Sequence, residues 1–315
     1  MEPSPTDAAE LIIVVGPTGI GKTSAGIRLA RHFGGEIISA DSMQIYRHMD
    51  IGTAKPTAQE QSQARHHLVD IVDPDESFDA ARFADVARRA IARLQERGKV
   101  PVIVGGTGFY IKALLHGLYP APAPDPVLRE RLSSELDQEG AVVLHTRLAS
   151  LDPLAAERIH PNDSYRLLRA LETVMGTGRT LSEWQQDHGF PPSPYRFFRI
   201  GLEMERPAMY ARINARVEQM VQAGLLSEVQ GLLDMGYGPE LKAMQSLGYR
   251  HMTAHLLDGL RWAEAVGTMQ RDTRRYAKRQ LTWFKRETKT TWIAPGNLVR
   301  LLPEVASFLN RSGEC

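Results

Sequence analysis

Leu11-Ile12-Ile13-Val14-Val15 runs directly into Gly16-Pro17-Thr18-Gly19-Ile20-Gly21-Lys22-Thr23. Five consecutive apolar residues ending in a glycine-rich turn specify a strand buried on both faces, and the residues from Lys22 onward specify a helix. Between two such elements the glycines let the backbone curl so that successive N–H groups point at an anion. The positive end of the helix and the charge of Lys22 add to that field. Thr23 brings a hydroxyl to the position where such loops hold Mg²⁺. The stretch therefore reads as a phosphate-binding loop (P-loop), with the question of a nucleotide left open.

Outward from the loop, residues 22–33 carry Ile27, Leu29, Ala30 and Phe33 at helical spacing, and Gly34-Gly35 stops them. Residues 36–40 read as a second strand, with Asp41 and Ser42 just past its carboxyl end, and residues 66–72 as a third. Residues 78–97 have helical periodicity and stop at Gly98. Residues 100–104 form another apolar run, ending in Gly105-Gly106-Thr107-Gly108. This alternation predicts an α/β fold, a parallel sheet wrapped by helices, whose ligands bind beyond the carboxyl ends of the strands. The P-loop, Asp41 and Thr107 all fall there.

After Tyr119 the character changes. Residues 120–126 alternate proline with alanine and aspartate as a stiff connector, and a second proline cluster spans residues 191–194. Between them the pattern is helical and charged, and beyond the strand expected at residues 196–202 the chain is mostly helical. The expected organisation is a P-loop core domain of residues 1–121 and 195–315, an all-helical insertion domain of residues 122–194, and a mostly helical C-terminal part.

Composition narrows the function classes. With 315 residues, 43% of them hydrophobic, the chain can bury two packed units. Its 38 basic and 37 acidic residues nearly cancel, so a nucleic-acid surface has to come from local clustering. Cys315 is the only cysteine, which excludes an internal disulfide framework and a cysteine-rich zinc site. The polar, proline-containing first ten residues are unlike a signal peptide, and no apolar run is long enough to span a bilayer. A cytoplasmic monomer without membrane attachment is the expectation.

Several residues are candidates for chemistry. Asp41 can act as a base, support Mg²⁺, or cap the next turn, and Asp70 and Asp73 compete for the metal-supporting role. Thr107 can bond a substrate or cap the helix that follows it. Arg212 and Arg216, one helical turn apart, can close on a diphosphate. His66 and His67 lack metal-ligand spacing and read as structural. A basic run from Arg271 to Lys289, interleaved with Tyr276, Trp283 and Phe284, suits backbone phosphates, and Arg158, His160, Arg166 and Arg169 form a second group. Two separated basic groups favour a long polyanion such as folded RNA over the small metabolite of a P-loop kinase.

Taken in order, these segments resemble the tRNA dimethylallyltransferases (isopentenyltransferases). The resemblance rests on the P-loop, Asp41-Ser42-Met43-Gln44-Ile45-Tyr46, Asp50-Ile51-Gly52-Thr53-Ala54-Lys55-Pro56, Gly105-Gly106-Thr107 with Tyr110, Arg158-Ile159-His160-Pro161-Asn162-Asp163, Arg169-Ala170-Leu171-Glu172, Gly248-Tyr249-Arg250, and Lys278-Arg279-Gln280-Leu281-Thr282-Trp283-Phe284. It implies that the P-loop holds the diphosphate of dimethylallyl diphosphate and that the dimethylallyl group passes to N6 of the adenosine 3′-adjacent to the anticodon. It further implies Asp41 as base, Thr107 lining the channel, Lys22 and Arg216 on the leaving group, and Mg²⁺ at Thr23. Implied contacts with the anticodon stem-loop are Asp41, Ser42, Met43, Gln44, Thr107, Arg129, Tyr165, Arg166, Leu167, Leu168, Arg169, Gln245, Ser246, Leu247, Gly248, Tyr249, Arg250, Lys278, Arg279, Gln280, Leu281, Thr282, Trp283, Phe284 and Lys285. Two places depart from the family pattern: many relatives have Gln where Tyr165 stands, and residues 245–247 differ from several of them.

Overall fold

A computed structural model describes residues 9–120 and 125–309. The connector expected at residues 120–126 therefore lies mostly outside the described residues, as do Cys315 and the first eight positions. The chain divides into two units. One contains the described residues up to Leu115 and from Ser193 onward, and the other is His116–Pro192.

In the first unit β1 (Glu10–Val15) leads through the P-loop into α1 (Lys22–Phe33), followed by β2 (Glu36–Ser39), α2 (Ala58–Gln63), β3 (His66–His67), α3 (Ala80–Glu96), β4 (Pro101–Gly105) and α4 (Gly108–His116). Leu11 to Val15 are wholly buried because helices cover both faces of the sheet. The second unit holds α5 (Pro126–Glu139), α6 (Ala141–Leu151), α7 (Pro153–Arg158), α8 (Ser164–Thr177) and α9 (Leu181–His188) around a leucine-rich core. There the buried Asp152 carboxylate caps α7 at Ala155 N–H (3.0 Å) and also accepts Ser182 N–H (3.0 Å). The first unit resumes with β5 (Arg196–Leu202), α10 (Arg206–Gln222), α11 (Leu225–Asp234), α12 (Tyr249–Leu257), α13 (Trp262–Phe284), β6 (Thr291–Ile293), a 3₁₀ turn and α14 (Leu302–Phe308).

The described strands form one six-stranded parallel sheet in the order β3-β2-β4-β1-β5-β6. Val15 pairs with Gly105 and Ser39 with Val104, so β1, β4 and β2 end nearly level. That register puts Gly16, Thr107 and Asp41 in one row above the sheet.

Two sequence expectations change. The strand expected at residues 66–72 pairs with β2 only at His66 and His67. The backbone then turns through positive φ at Leu68 and Asp70 (62° and 56°), because Asp70 and Ile71 donate to the carbonyls of Gln44 and Ile45 instead. The C-terminal region also contributes β6, which extends the sheet beyond β5; its three half-buried residues are too few to show a strand period.

Candidate active site

Gly19 and Gly21 take positive φ (80° and 102°), the left-handed conformation that only glycine adopts without strain, and α1 starts immediately after them. Gly21, the residue before the helix, offers no side-chain cap. The N–H groups of Gly19, Gly21, Lys22 and Thr23 have no protein acceptor among the described residues, so the loop presents a set of donors suited to an anion. Thr18 is different: its N–H is donated to Gln280 Oε1 at 2.8 Å.

Lys22 Nζ donates to the carbonyl of Pro17 (2.9 Å). Desolvation brings its pKa down to about 8, against the opposing pull of the Asp41 carboxylate and with the help of Arg216. Arg216 on α10 is also lowered by burial while Asp41 raises it. These effects place Lys22, Arg216 and Asp41 in one electrostatic group. Arg212 comes close to Gly21, where an added Cβ would meet its guanidinium at 3.8 Å.

Asp41 forms a turn with its own backbone. Oδ1 accepts the N–H groups of Met43 (2.9 Å) and Gln44 (3.3 Å). Thr107 precedes α4, yet its hydroxyl accepts Ser42 N–H at 3.1 Å, so it ties the β4–α4 loop to the Asp41 turn instead of capping its own helix. Thr107 N–H in turn donates to the Ala40 carbonyl (3.2 Å). Gln44 is committed to structure, accepting from the Ser39 hydroxyl and donating to the carbonyls of Thr53 and Ala54.

One face of α13 lies across this region. Gln280 accepts Thr18 N–H and donates to the Gly106 carbonyl (3.0 Å), locking the P-loop to the β4–α4 loop. A Cβ at Gly106 would sit 2.2 Å from Gln280 Nε2, so any larger residue there would displace the Gln280 amide from this position. One turn earlier, desolvation and the Asp41 charge push the Tyr276 phenol up to about 12, although its hydrogen bonds with Gln280 and Thr107 work the other way. Leucine at Gln280 would leave Thr18 N–H and the Gly106 carbonyl without partners, a cost of about 1–3 kcal/mol per buried group. Thermal unfolding of Gln280→Leu is expected to show at least that loss.

The residues expected to touch RNA separate by exposure. Lys278, Arg279 and Thr282 are exposed on α13, and neither Lys278 nor Arg279 has an ion-pair partner among the described residues. Leu281 and Trp283 are half-buried. Lys285 pairs with Glu203 (2.5 Å) and lies 4.0 Å over the Trp292 ring. Arg250, Arg271 and Arg275 converge on Asp272. Burial works to raise the pKa of that carboxyl, yet hydrogen bonds from Arg271, His251 and Arg250 hold it at about 2. Gln280, Tyr249 and Phe284 are buried, so their side chains build the core rather than an outer surface.

In the helical unit Leu167 and Leu168 are likewise buried and are withdrawn as RNA contacts through their side chains, because they fill the core between its helices. Tyr165 is 72% exposed with the Arg129 guanidinium 5.3 Å over its ring. Arg129 and Arg169 share the buried Glu172 carboxylate (3.3 and 3.2 Å). Arg166 pairs with Asp163, and Arg158 bonds Ser182 Oγ at 2.9 Å. Near α12, Gln245 is exposed and bonds the Pro239 carbonyl, while Ser246 and Leu247 are half-buried and Gly248 is buried.

Asp70 and Asp73, the rival metal supporters, are taken up by ion pairs to Lys55 (2.5 Å) and Arg47 (2.9 Å). His67 pairs with the buried Glu36 (2.7 Å), and His66 bonds the Ala64 carbonyl (2.8 Å). Sequence reasoning gave Gln280 and Tyr276 no part in holding the P-loop and the β4–α4 loop. Their i, i+4 spacing puts them on one face, but nothing local says what that face covers.

Residues 44–287 match the family model described as IPP transferase. The chain is 53% identical over 304 residues to the tRNA dimethylallyltransferase of Desulfosudis oleivorans, spanning 96% of this chain and 97% of that one. The full-length tRNA isopentenylpyrophosphate transferase of Bacillus halodurans superposes with a TM-score of 0.72 at 41% identity, covering 96% of this chain and 97% of that one. A eukaryotic dimethylallyltransferase acting on tRNA superposes with a TM-score of 0.80 at 26% identity, over 98% of this chain and 81% of that one. With a parallel sheet, a P-loop at the end of its β1 strand and this extent of likeness, the chain belongs to the IPP transferase family.

Proposed function

We infer that this protein is a tRNA dimethylallyltransferase: it moves the dimethylallyl group of dimethylallyl diphosphate onto N6 of the adenosine 3′-adjacent to the tRNA anticodon. The observation that carries the reading is the row formed by the P-loop, Thr107 and Asp41 over the ends of β1, β4 and β2, in a chain 53% identical to an enzyme of that name. N6 attacks the first carbon of the dimethylallyl group, the bond from that carbon to the diphosphate oxygen breaks, and the N6 proton passes to Asp41. The charge that grows on diphosphate meets Lys22, Arg216 and the loop N–H groups. Thr107, held by Ser42, lines the path to Asp41.

No three His, Cys, Asp or Glu side chains cluster as a metal nest among the described residues. Thr23 stands in the first turn of α1 and its hydroxyl has no partner among the described residues, which fits Mg²⁺, an ion commonly held through substrate phosphates, water and one or two protein oxygens. Thr23 would hold the ion, which would supply further neutralisation of the leaving diphosphate.

Drawing a base out of its stack costs a few kcal/mol, least for a loop nucleotide, which favours the anticodon loop as target. On α13 Lys278, Arg279 and Thr282 are exposed, and on α8 Tyr165 and Arg166 are exposed, which leaves these side chains available to RNA. No helix among the described residues is long and apolar enough to cross a membrane. A tRNA substrate places the proposed reaction in the cytoplasm.

Protein incubated with unmodified tRNA and labelled dimethylallyl diphosphate is expected to transfer label to the RNA. ATP turnover with no label on tRNA would replace this reading with a P-loop kinase. Raising ionic strength is expected to weaken tRNA binding far more than diphosphate binding. Changing both Lys278 and Arg279 to Ala should reduce the slope of log affinity against log salt by about 1 per residue. An unchanged slope would remove these two from the RNA surface.

A further inference from the structure

Glu228, on α11, has no part in the chemistry above, yet its carboxylate gathers three consecutive backbone N–H groups. Oε2 accepts from Asp50 (2.9 Å) and Ile51 (2.7 Å), and Oε1 accepts from Gly52 (3.1 Å). Oε1 also takes the hydroxyl of Tyr249 at 2.6 Å, and Tyr249 is fully buried. Successive N–H groups aimed at one anion form a nest, and here the anion is a side chain of the same protein.

The loop held in this way reaches the active site in two steps. Its Thr53 and Ala54 carbonyls accept Gln44 Nε2 at 3.4 and 3.2 Å. Gln44 closes the turn in which Met43 and Gln44 N–H groups occupy Asp41 Oδ1. With Oδ1 so used, Oδ2 is the oxygen left to take a proton, and the turn sets its direction. At its far end the loop is tied down by Lys55, whose ammonium bonds the Tyr46 carbonyl (2.9 Å) and pairs with Asp50 and Asp70. Among the described residues no hydrogen bond runs directly from Glu228 or from residues 50–54 to the P-loop, whose Thr18 N–H is held by Gln280.

We propose that Glu228 is a positioning residue for prenyl transfer: it fixes the loop of residues 50–54, through it Gln44, and through the turn at residues 41–44 the direction of Asp41 Oδ2. The proposal rests on the reading of Asp41 as the base. A carboxylate is required because Gln has one acceptor oxygen, and its NH₂ would face N–H donors in the same nest.

The test is Glu228→Gln in the full-length chain, assayed with tRNA and dimethylallyl diphosphate alongside hydrogen exchange. The expected result is a kcat reduced by about 10–100-fold, the size of effect that a small misplacement of a reacting group produces. KM for dimethylallyl diphosphate should stay within about twofold of the parent, because the loop on which it depends is held elsewhere. Exchange should rise at Ile51 and Gly52 and stay unchanged through the P-loop. Faster exchange at Ile51 and Gly52 with kcat within twofold of the parent would overturn the proposal, since the nest would then serve folding alone. A general rise in exchange, or a parallel change in both KM values, would overturn it as well. Absence of label transfer by the unsubstituted protein would instead remove the functional reading itself.

Discussion

Asn at Asp41 is expected to slow prenyl transfer by about 10²–10⁴-fold, the usual contribution of a general base, while tRNA affinity stays within a few-fold. Asn is the informative substitution because it can keep the acceptor that Met43 and Gln44 N–H groups use, so the turn survives while proton acceptance is lost. The reading depends on a split between constants: kcat should fall and KM for tRNA should not. If Asp41→Asn retains a rate within tenfold of the parent, the carboxylate serves only to shape the turn. Removing the Asp41 charge has a second consequence. That charge raises the pKa of Lys22, so the lysine should lose its proton at lower pH in the Asn variant.

Replacing Lys22 by Ala is expected to lower kcat by about 10²–10³-fold, the loss typical when one preorganised charge stabiliser is deleted. The pH dependence gives a separate check. In the free protein Lys22 has a pKa of about 8, reduced from 10.5 mainly by desolvation, so it is a cation below that value and neutral above it. kcat/KM for dimethylallyl diphosphate should therefore fall as pH rises through about 8. The limb should vanish in Lys22→Ala and move to lower pH in Asp41→Asn. A folded value below the ordinary one means that the protonated lysine opposes folding below pH 8, and that this cost fades toward 10.5. A bound diphosphate reverses the balance by giving the ammonium a partner. An alkaline limb unchanged in Lys22→Ala would assign it to another group.

How well each part could be read follows from how local its cause is. The P-loop needs only a buried strand, three glycines and a helix start, all contiguous, and residues 11–23 contain them. The placement of Asp41 and Thr107 follows from the rule that loops at the carboxyl ends of parallel strands share one edge. Short elements were harder. His66-His67 is a strand only because β2 lies beside it, and Asp70, Ile71 and Val72 leave the sheet because the backbone of residues 44–47 offers them partners. Among the basic residues, sequence showed charge but not engagement. Arg271 and Arg275 go to Asp272 and Arg274 to Asn214, whereas Lys278 and Arg279 stay free of ion pairs among the described residues.

The amino-acid order alone determined the α/β class, the glycine-rich loop between β1 and α1 and the carboxylate and hydroxyl beside it, because glycine conformations, apolar runs and strand ends are properties of neighbouring residues. Only the tertiary structure decided what holds them in place. Gln280 meets Thr18 across 262 positions, and Glu228 meets Ile51 across 177. Hydrogen bonds of that reach depend on how helices pack against the sheet, which no local pattern records.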